Sequence, residues 1–196
     1  MTENEEIMML GMMWKAIEII EECREFAMLI PEVRSNLVYA KHEAKTVDDV
    51  MAIDGRITIV NGRPHASGHP KFGASSHMAR IILELMKFNP EIRSGINITC
   101  NPELISFLED YCAANSMRIV KVDRTNEPAE SRDIEGKTMS WKAREAVRLA
   151  GGDVPDIFYE TGDIGKEPII TVVGKNPVEV VTHACDIAMK YSLIKK

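Results

Sequence analysis

The chain has no CxxC pair, no apolar run of transmembrane length and no surplus of positive charge, and each absence removes a class of function. Cys23, Cys100, Cys112 and Cys185 are far apart, so their spacing suggests neither a zinc site nor a disulfide framework. Free thiols in a reducing cytoplasm suit them better. No stretch approaches the ~20 apolar residues that cross a bilayer. The first residues include Glu3, Glu5 and Glu6, whereas a secretory signal starts basic. A cytoplasmic protein with no membrane partner is therefore expected. The formal net charge of −6 argues against a general nucleic-acid binder, which is usually basic. Neither a Walker A nor a GxGxxG run occurs, and no nucleophile triad stands out.

What remains is an ordinary globular composition, 45% hydrophobic and 28% charged over 196 residues, enough for one domain. A helix is expected from about residue 3 to 29, where Ile7, Leu10, Trp14, Ile17, Ile20 and Met28 recur at spacings of three and four. Met8, Met9, Met12 and Met13 widen its apolar face, as a core or dimer helix requires. Pro31 ends it, which separates a leading helix, 1–30, from a main domain, 31–196.

Strands are expected at 35–40, 56–60, 95–100, 117–122, 156–159 and 169–173, with helices at 77–87, 102–114, 140–150 and 177–191. Thr46 caps a helical turn across 46–53, with Asp48 and Asp49 where the helix dipole favours acids. Residues 125–138 are polar and aperiodic, a loop. The alternation of strands and helices says α/β, with no linker and no internal repeat. Sheet order does not follow from that pattern.

The chemistry concentrates in the segment 55–80, GRITIVNGRPHASGHPKFGASSHMAR. Most of it reads as loop. Arg56, Arg63, Lys71 and Arg80 supply fixed charge, and arginine suits bidentate contact with phosphate oxygens. Gly62, Gly68 and Gly73 let backbone approach a ligand. Gly73, Ser75 and Ser76 lead into a helix whose open N–H groups favour an anion. A phosphate or diphosphate fits this set. His65, His69 and His77 include metal-like spacing, but Gly68 and Pro70 break the helix it would need, and no carboxylate or cysteine sits among them. His77 is the exception, because a protonated imidazole beside the anion pocket neutralises a leaving diphosphate. A second loop, 160–168, carries Asp163, Lys166 and Glu167. Its carboxylates suit Mg²⁺ held against phosphate oxygens; a surface turn with an internal ion pair remains equally open. Arg34, Asn36 and Asn61 flank expected strands, where polar side chains often face a site.

Taken together, PEVRSNLVYA, DGRITIVNGRPHASGHPKFGASSHMAR and GDIGKEP resemble the ThiN-type thiamine-phosphate synthase domain, often the C-terminal part of bifunctional archaeal pyrimidine kinases. The resemblance runs from about Pro31 onward. It implies a three-layer α/β/α fold of the aldolase-like kind with a mixed, largely antiparallel sheet, and a homodimer. It also implies the joining of hydroxymethylpyrimidine diphosphate to thiazole phosphate, with pyrophosphate released and Mg²⁺ as cofactor. The family's important Arg and His correspond to Arg56 and His77. Asn36, Arg63, Lys71, Gly73, Ser75, Ser76, Arg80 and Lys166 are the candidates for substrate and diphosphate, and Asp163 and Glu167 for the metal. No kinase domain and no helix-turn-helix are seen. Two other readings stay open: a non-catalytic thiamine-phosphate sensor, and a metal-dependent aldolase-like lyase using the three histidines.

Overall fold

Asparagine and proline fix where two of the helices start. Asn101 Oδ1 accepts the Leu104 N–H at 2.9 Å ahead of Pro102, and Asn176 Oδ1 accepts the Glu179 N–H at 3.0 Å ahead of Pro177. Each side chain satisfies a donor that the first turn leaves open, and proline brings helical φ without needing a donor. These helices, Pro102–Ala114 and Pro177–Ile194, are α3 and α5 of a computed structural model that describes residues 2–128, 136–160 and 167–195. The others are α1 (Thr2–Glu22), α2 (Ser76–Leu85) and α4 (Lys137–Leu149). The strands are β1 (Leu37–Ala40), β2 (Val50–Ile53), β3 (Ile57–Val60), β4 (Arg63–Ala66), β5 (Pro70–Phe72), β6 (Ser94–Thr99), β7 (Ile119–Val122), β8 (Ile157–Glu160) and β9 (Ile169–Gly174).

Seven strands form one sheet in the order β5-β2-β1-β6-β9-β8-β7, antiparallel throughout except for the β7–β8 pair, and β3 and β4 form a separate hairpin. Side-chain alternation gives the sheet two buried faces. Leu37, Tyr39, Ile96, Ile98 and Val172 pack in the core with α1, α3 and α5. Val38, Ala40, Val50, Ala52 and Phe158 pack with α2 and α4. The three-layer α/β/α fold with a mixed, mainly antiparallel sheet is thus the one expected. Burying one such aliphatic side chain contributes about 1.5–3 kcal/mol, so a one-residue slip, which exchanges the two faces, is strongly opposed. Gly95 on β6 marks where α2 meets the sheet: a Cβ there would sit 3.0 Å from Ile82 Cδ1 and 3.2 Å from the Val172 carbonyl oxygen. Among the described residues no helix is long and apolar enough to cross a membrane.

Three local expectations change. In α1 the buried side chains are Met9, Met13, Ala16, Ile17 and Ile20, while Ile7, Met8, Leu10 and Trp14 stay exposed. The winning series spans steps of four, three, one and three, a continuous stripe at 3.6 residues per turn, and flexible methionine fills its irregular gaps. The helix stops at Glu22, and a 3-10 turn, Arg24–Leu29, buries Phe26 and Leu29. Residues 46–53 hold only a 3-10 turn, Val47–Asp49; the rest is β2, buried at all four positions. The segment 62–76 is not a loop. Asn61 and Gly62 both have positive φ, 51° and 72°, as a two-residue hairpin turn requires. Val60 therefore pairs with Arg63, and β5 follows on the sheet edge.

Candidate active site

The ends of β1, β6, β7, β8 and β9 meet the N-termini of α2 and α4 around a cavity of about 520 Å³, a volume typical of small-molecule sites. Strand register assembles its floor. Asn97 pairs with Thr171, Thr171 with Phe158, and Val122 with Glu160. Asn36 joins the row just before β1, its N–H donating to Asn97 Oδ1 at 2.7 Å. Met78 and Ile81 of α2 and Met139 of α4 close the cavity from the helical side.

Two amides brace the row. Asn97 Nδ2 donates to the Arg34 carbonyl at 2.9 Å. Asn36 bridges to Ile53 in both directions, Nδ2 to the carbonyl at 3.3 Å and Oδ1 from the N–H at 3.2 Å. The rim carries Arg34 and Arg56, both exposed and both in the left-handed region, with φ of 68° and 75°. That conformation costs a side-chain-bearing residue roughly 1–2 kcal/mol. Cross-bracing sustains it. Arg34 N–H donates to Pro31 O at 2.8 Å and Arg56 N–H to Ile53 O at 3.3 Å. Ser35 and Ile57 exchange backbone bonds at 3.3 and 2.7 Å. The Arg56 guanidinium donates to the Val33 carbonyl. Glu167 accepts the Glu32 and Val33 N–H groups, one on each oxygen, at 3.1 Å. Strain held in place this way is a mark of functional sites.

Beneath the rim lies a buried charged cluster. Arg124 donates to Glu127 Oε2 through Nη2 at 2.8 Å and Nε at 3.3 Å. Lys142 donates to Glu160 Oε1. Arg124 Nε is 3.7 Å from Glu160 Oε2, an ion contact too long for a hydrogen bond. Burial pushes the Lys142 ammonium below its ordinary pKa, against the pull of Glu160. Burial raises the Glu127 carboxyl, but hydrogen bonds from Thr138 and Arg124 more than offset that and leave it below the usual range. Among the described residues two cations face two carboxylates, which leaves those four charges balanced. The rim is not: Arg34 and Arg56 outnumber Glu167 there, beside His77 and the N-terminus of α2, whose N-cap is Ser75. The cavity can therefore hold an anion at its mouth and a largely apolar group below it.

A family model described as thiamine-phosphate synthase ThiN matches residues 12–186, which takes in every side chain of this cavity. The chain belongs to the ThiN family. It is 41% identical over 181 residues to thiamine-phosphate synthase ThiN of Methanothermobacter thermautotrophicus, covering 92% of this chain and 93% of that protein. It is 44% identical over 155 residues to the bifunctional thiamine biosynthesis protein ThiDN of Methanocaldococcus jannaschii, covering 78% of this chain and 34% of that longer protein. A crystal structure of the C-terminal domain of a phosphomethylpyrimidine kinase superposes with a TM-score of 0.80 at 37% identity, covering 89% of this chain and 98% of that one.

In this ThiN chain the cavity brings together Arg56, His77, Asn36, Ser75 and Glu167. It does not take in Arg63, Lys71, Gly73, Ser76 or Arg80. Arg63 closes the β3–β4 hairpin and Lys71 sits on the edge strand β5. Gly73 packs on Asp48, where a Cβ would lie 2.9 Å from Oδ1. Arg80 backs the cavity wall, its Cζ 2.7 Å from where a Cβ on Gly136 would be. Strand pairing in place of the expected loop carries Arg63 and Lys71 away, and Arg80 lies on α2 behind the wall. Asp163 and Lys166 lie outside the described residues. His65 pairs with Glu21 at 3.1 Å and His69 stacks on Trp14 with centroids 5.3 Å apart, so two of the three histidines face α1 while His77 faces the cavity. Among the described residues no group of three or more His, Cys, Asp or Glu is arranged to hold a metal. Glu167 still fits Mg²⁺, which typically takes one or two carboxylates plus substrate phosphates and water.

Sequence reasoning missed Arg124, Glu127, Thr138, Lys142, Asn97, Thr171 and Glu160. Two signals were available. Thr138, Lys142 and Ala146 follow spacings of four along α4, which puts a lysine on the buried stripe. Phe158 and Glu160 are two apart on a strand, which sets a carboxylate on the same face as a buried ring.

Proposed function

We propose that the chain is a thiamine-phosphate synthase that joins hydroxymethylpyrimidine diphosphate to thiazole phosphate and releases pyrophosphate. The observation that carries this reading is that Arg56, just before β3, and His77, on α2, line one cavity that has two arginines at its rim and a floor mixing Phe158 and Val122 with Asn36, Asn97 and Thr171. As the bond from the pyrimidine methylene to the diphosphate oxygen breaks, the electron pair moves onto the leaving oxygens. Arg56, His77 and Arg34 are suited to stabilise that charge. The thiazole nitrogen then forms the new bond to the methylene carbon, and no protein nucleophile takes part. Holding both substrates in line supplies much of the remaining acceleration. Mg²⁺, with Glu167 as its carboxylate, would neutralise further charge on the diphosphate.

Purified chain mixed with both substrates and Mg²⁺ is expected to form thiamine phosphate and pyrophosphate in equal amounts. No product above blank across varied conditions sinks the reading, and tight binding of thiamine phosphate without turnover would replace it with a ligand sensor. Arg56→Ala and His77→Ala should each lower kcat by roughly a hundredfold or more, the usual scale for removing a charge-stabilising donor. Circular dichroism should report an intact fold in both. Full activity in either variant contradicts its assigned role.

A further inference from the structure

The cavity sorts charge by depth. Its rim holds Arg34, Arg56 and His77 with Glu167, while below it, among the described residues, Arg124 and Lys142 are balanced by Glu127 and Glu160. Phosphates therefore belong at the rim, and the floor suits a neutral ring. Phe158 offers it an aromatic face, with Val122, Ile81, Met139 and Ile169 around it. An aromatic ring on Phe158 gains offset or edge-to-face contact as well as burial.

One acceptor on that floor has no hydrogen-bond partner among the described residues, although Arg124 Nε makes an ion contact with it at 3.7 Å. Glu160 Oε1 is held by Lys142, but Oε2 is buried and, among the described residues, has no hydrogen-bond partner. The side chain is 12% exposed and follows Phe158 by two positions on β8, so both face the cavity. Buried polar atoms are rarely left unpaired in native proteins, and an exception calls for a cause. An absent ligand donor supplies one. We propose that Glu160 is the specificity-determining residue for the pyrimidine: its Oε2 accepts an N–H from an amino group on the ring, while Lys142 fixes the carboxylate's orientation. This rests on the proposed synthase reading, because it takes the aminopyrimidine as the ligand of the floor.

The test compares the aminopyrimidine diphosphate with an analogue bearing hydrogen in place of the amino group, at saturating thiazole phosphate. A hydrogen bond to a charged group is worth on the order of tenfold to a hundredfold, so the native chain should favour the amino compound by that factor in kcat/KM. Glu160→Met keeps the bulk and removes the acceptor. It should bring the preference close to unity, with the loss in KM for the pyrimidine and not for thiazole phosphate. Lys142→Met keeps the acceptor but frees its orientation, and should lose part of the preference, less than Glu160→Met does. A folded Glu160→Met variant that still discriminates overturns the proposal, as does an equal loss of preference in both variants. Should Glu160→Met not fold, the native chain decides: calorimetric affinities for the two pyrimidines must differ by about tenfold or more, and equal affinities overturn it. Loss of the binding preference in Glu160→Met, in a chain that turns over neither compound, refutes the synthase reading while supporting the role of Glu160.

Discussion

A carboxylate sealed beside two cations titrates unlike one in solvent, and Glu127 is where that difference becomes measurable. Its side chain is fully buried against Arg124, and its pKa lies below the ordinary 4.5. The folded state thus binds the proton less tightly than the unfolded chain does. Its contribution to stability is present above about pH 4.5 and is lost as the pH falls through the lower folded value. Glu127→Gln cannot titrate, so it should have the shallower acid limb. Urea unfolding of both chains from about pH 6 to pH 3 should show their stability gap narrowing as acid is added. Parallel limbs would mean that Glu127 is not held in its ionised form by Arg124 and Thr138. Spacing along α4 and β8 marks Lys142 and Glu160 in the sequence, but nothing marks Arg124 and Glu127. Glu127 sits in the polar stretch 125–138 that reads as a loop and Arg124 just before it, and their burial beside Lys142 and Glu160 is tertiary.

Among the elements, α2 carries most of the consequence, because His77 rides on its first turn while Met78 and Ile81 wall the cavity. Its seat on the sheet depends on Gly95. The contacts of 3.0 Å to Ile82 Cδ1 and 3.2 Å to Val172 O leave no room for a methyl group. Gly95→Ala should cost about 1–3 kcal/mol, as overpacking generally does. Ile82→Val removes the crowded methyl and should by itself cost about 0.5–1.5 kcal/mol. Together the two should cost less than their sum, and a double-mutant cycle by chemical denaturation reads that coupling directly. Strict additivity would mean that α2 does not rest on Gly95 through Ile82. The helix itself was legible, since Met78, Ile81, Ile82 and Leu85 repeat at helical spacing. The hairpin before it was only half legible. Asn61-Gly62 announced the turn, but nothing local showed that Arg63 would pair back onto Val60. Of the charges expected in a phosphate loop, Arg63 therefore lies on the hairpin and Lys71 on the edge strand, while Arg56 stays at the cavity.

On the scale of the whole molecule, the cavity exists because the sheet order interleaves distant parts of the chain. β1, β6, β9 and β8 lie side by side, so Asn36, Asn97, Thr171 and Phe158 form one row although more than a hundred residues separate the first from the last. Short-range periodicity sets where strands occur and says nothing of which neighbour each takes, so the fold class could be read in advance and the floor of the site could not. This architecture makes ligand binding a property of the entire domain. An anion held at the proposed rim site would contact the segment before β1, the turn before β3 and the first turn of α2, and would so tie the sheet to one of its helical layers. Pyrophosphate should then raise the melting temperature by linkage. At a ligand concentration a hundred times Kd the gain is about 2.7 kcal/mol, or roughly 5–10 °C for a domain of this size. Lys71→Ala, on the edge strand outside the cavity, should keep that shift, and Arg56→Ala should lose most of it. The reverse pattern would move the anion from the cavity to the sheet edge, where the charge of the 55–80 segment alone would have put it. Differential scanning fluorimetry with and without pyrophosphate separates the two, and it does so without relying on turnover.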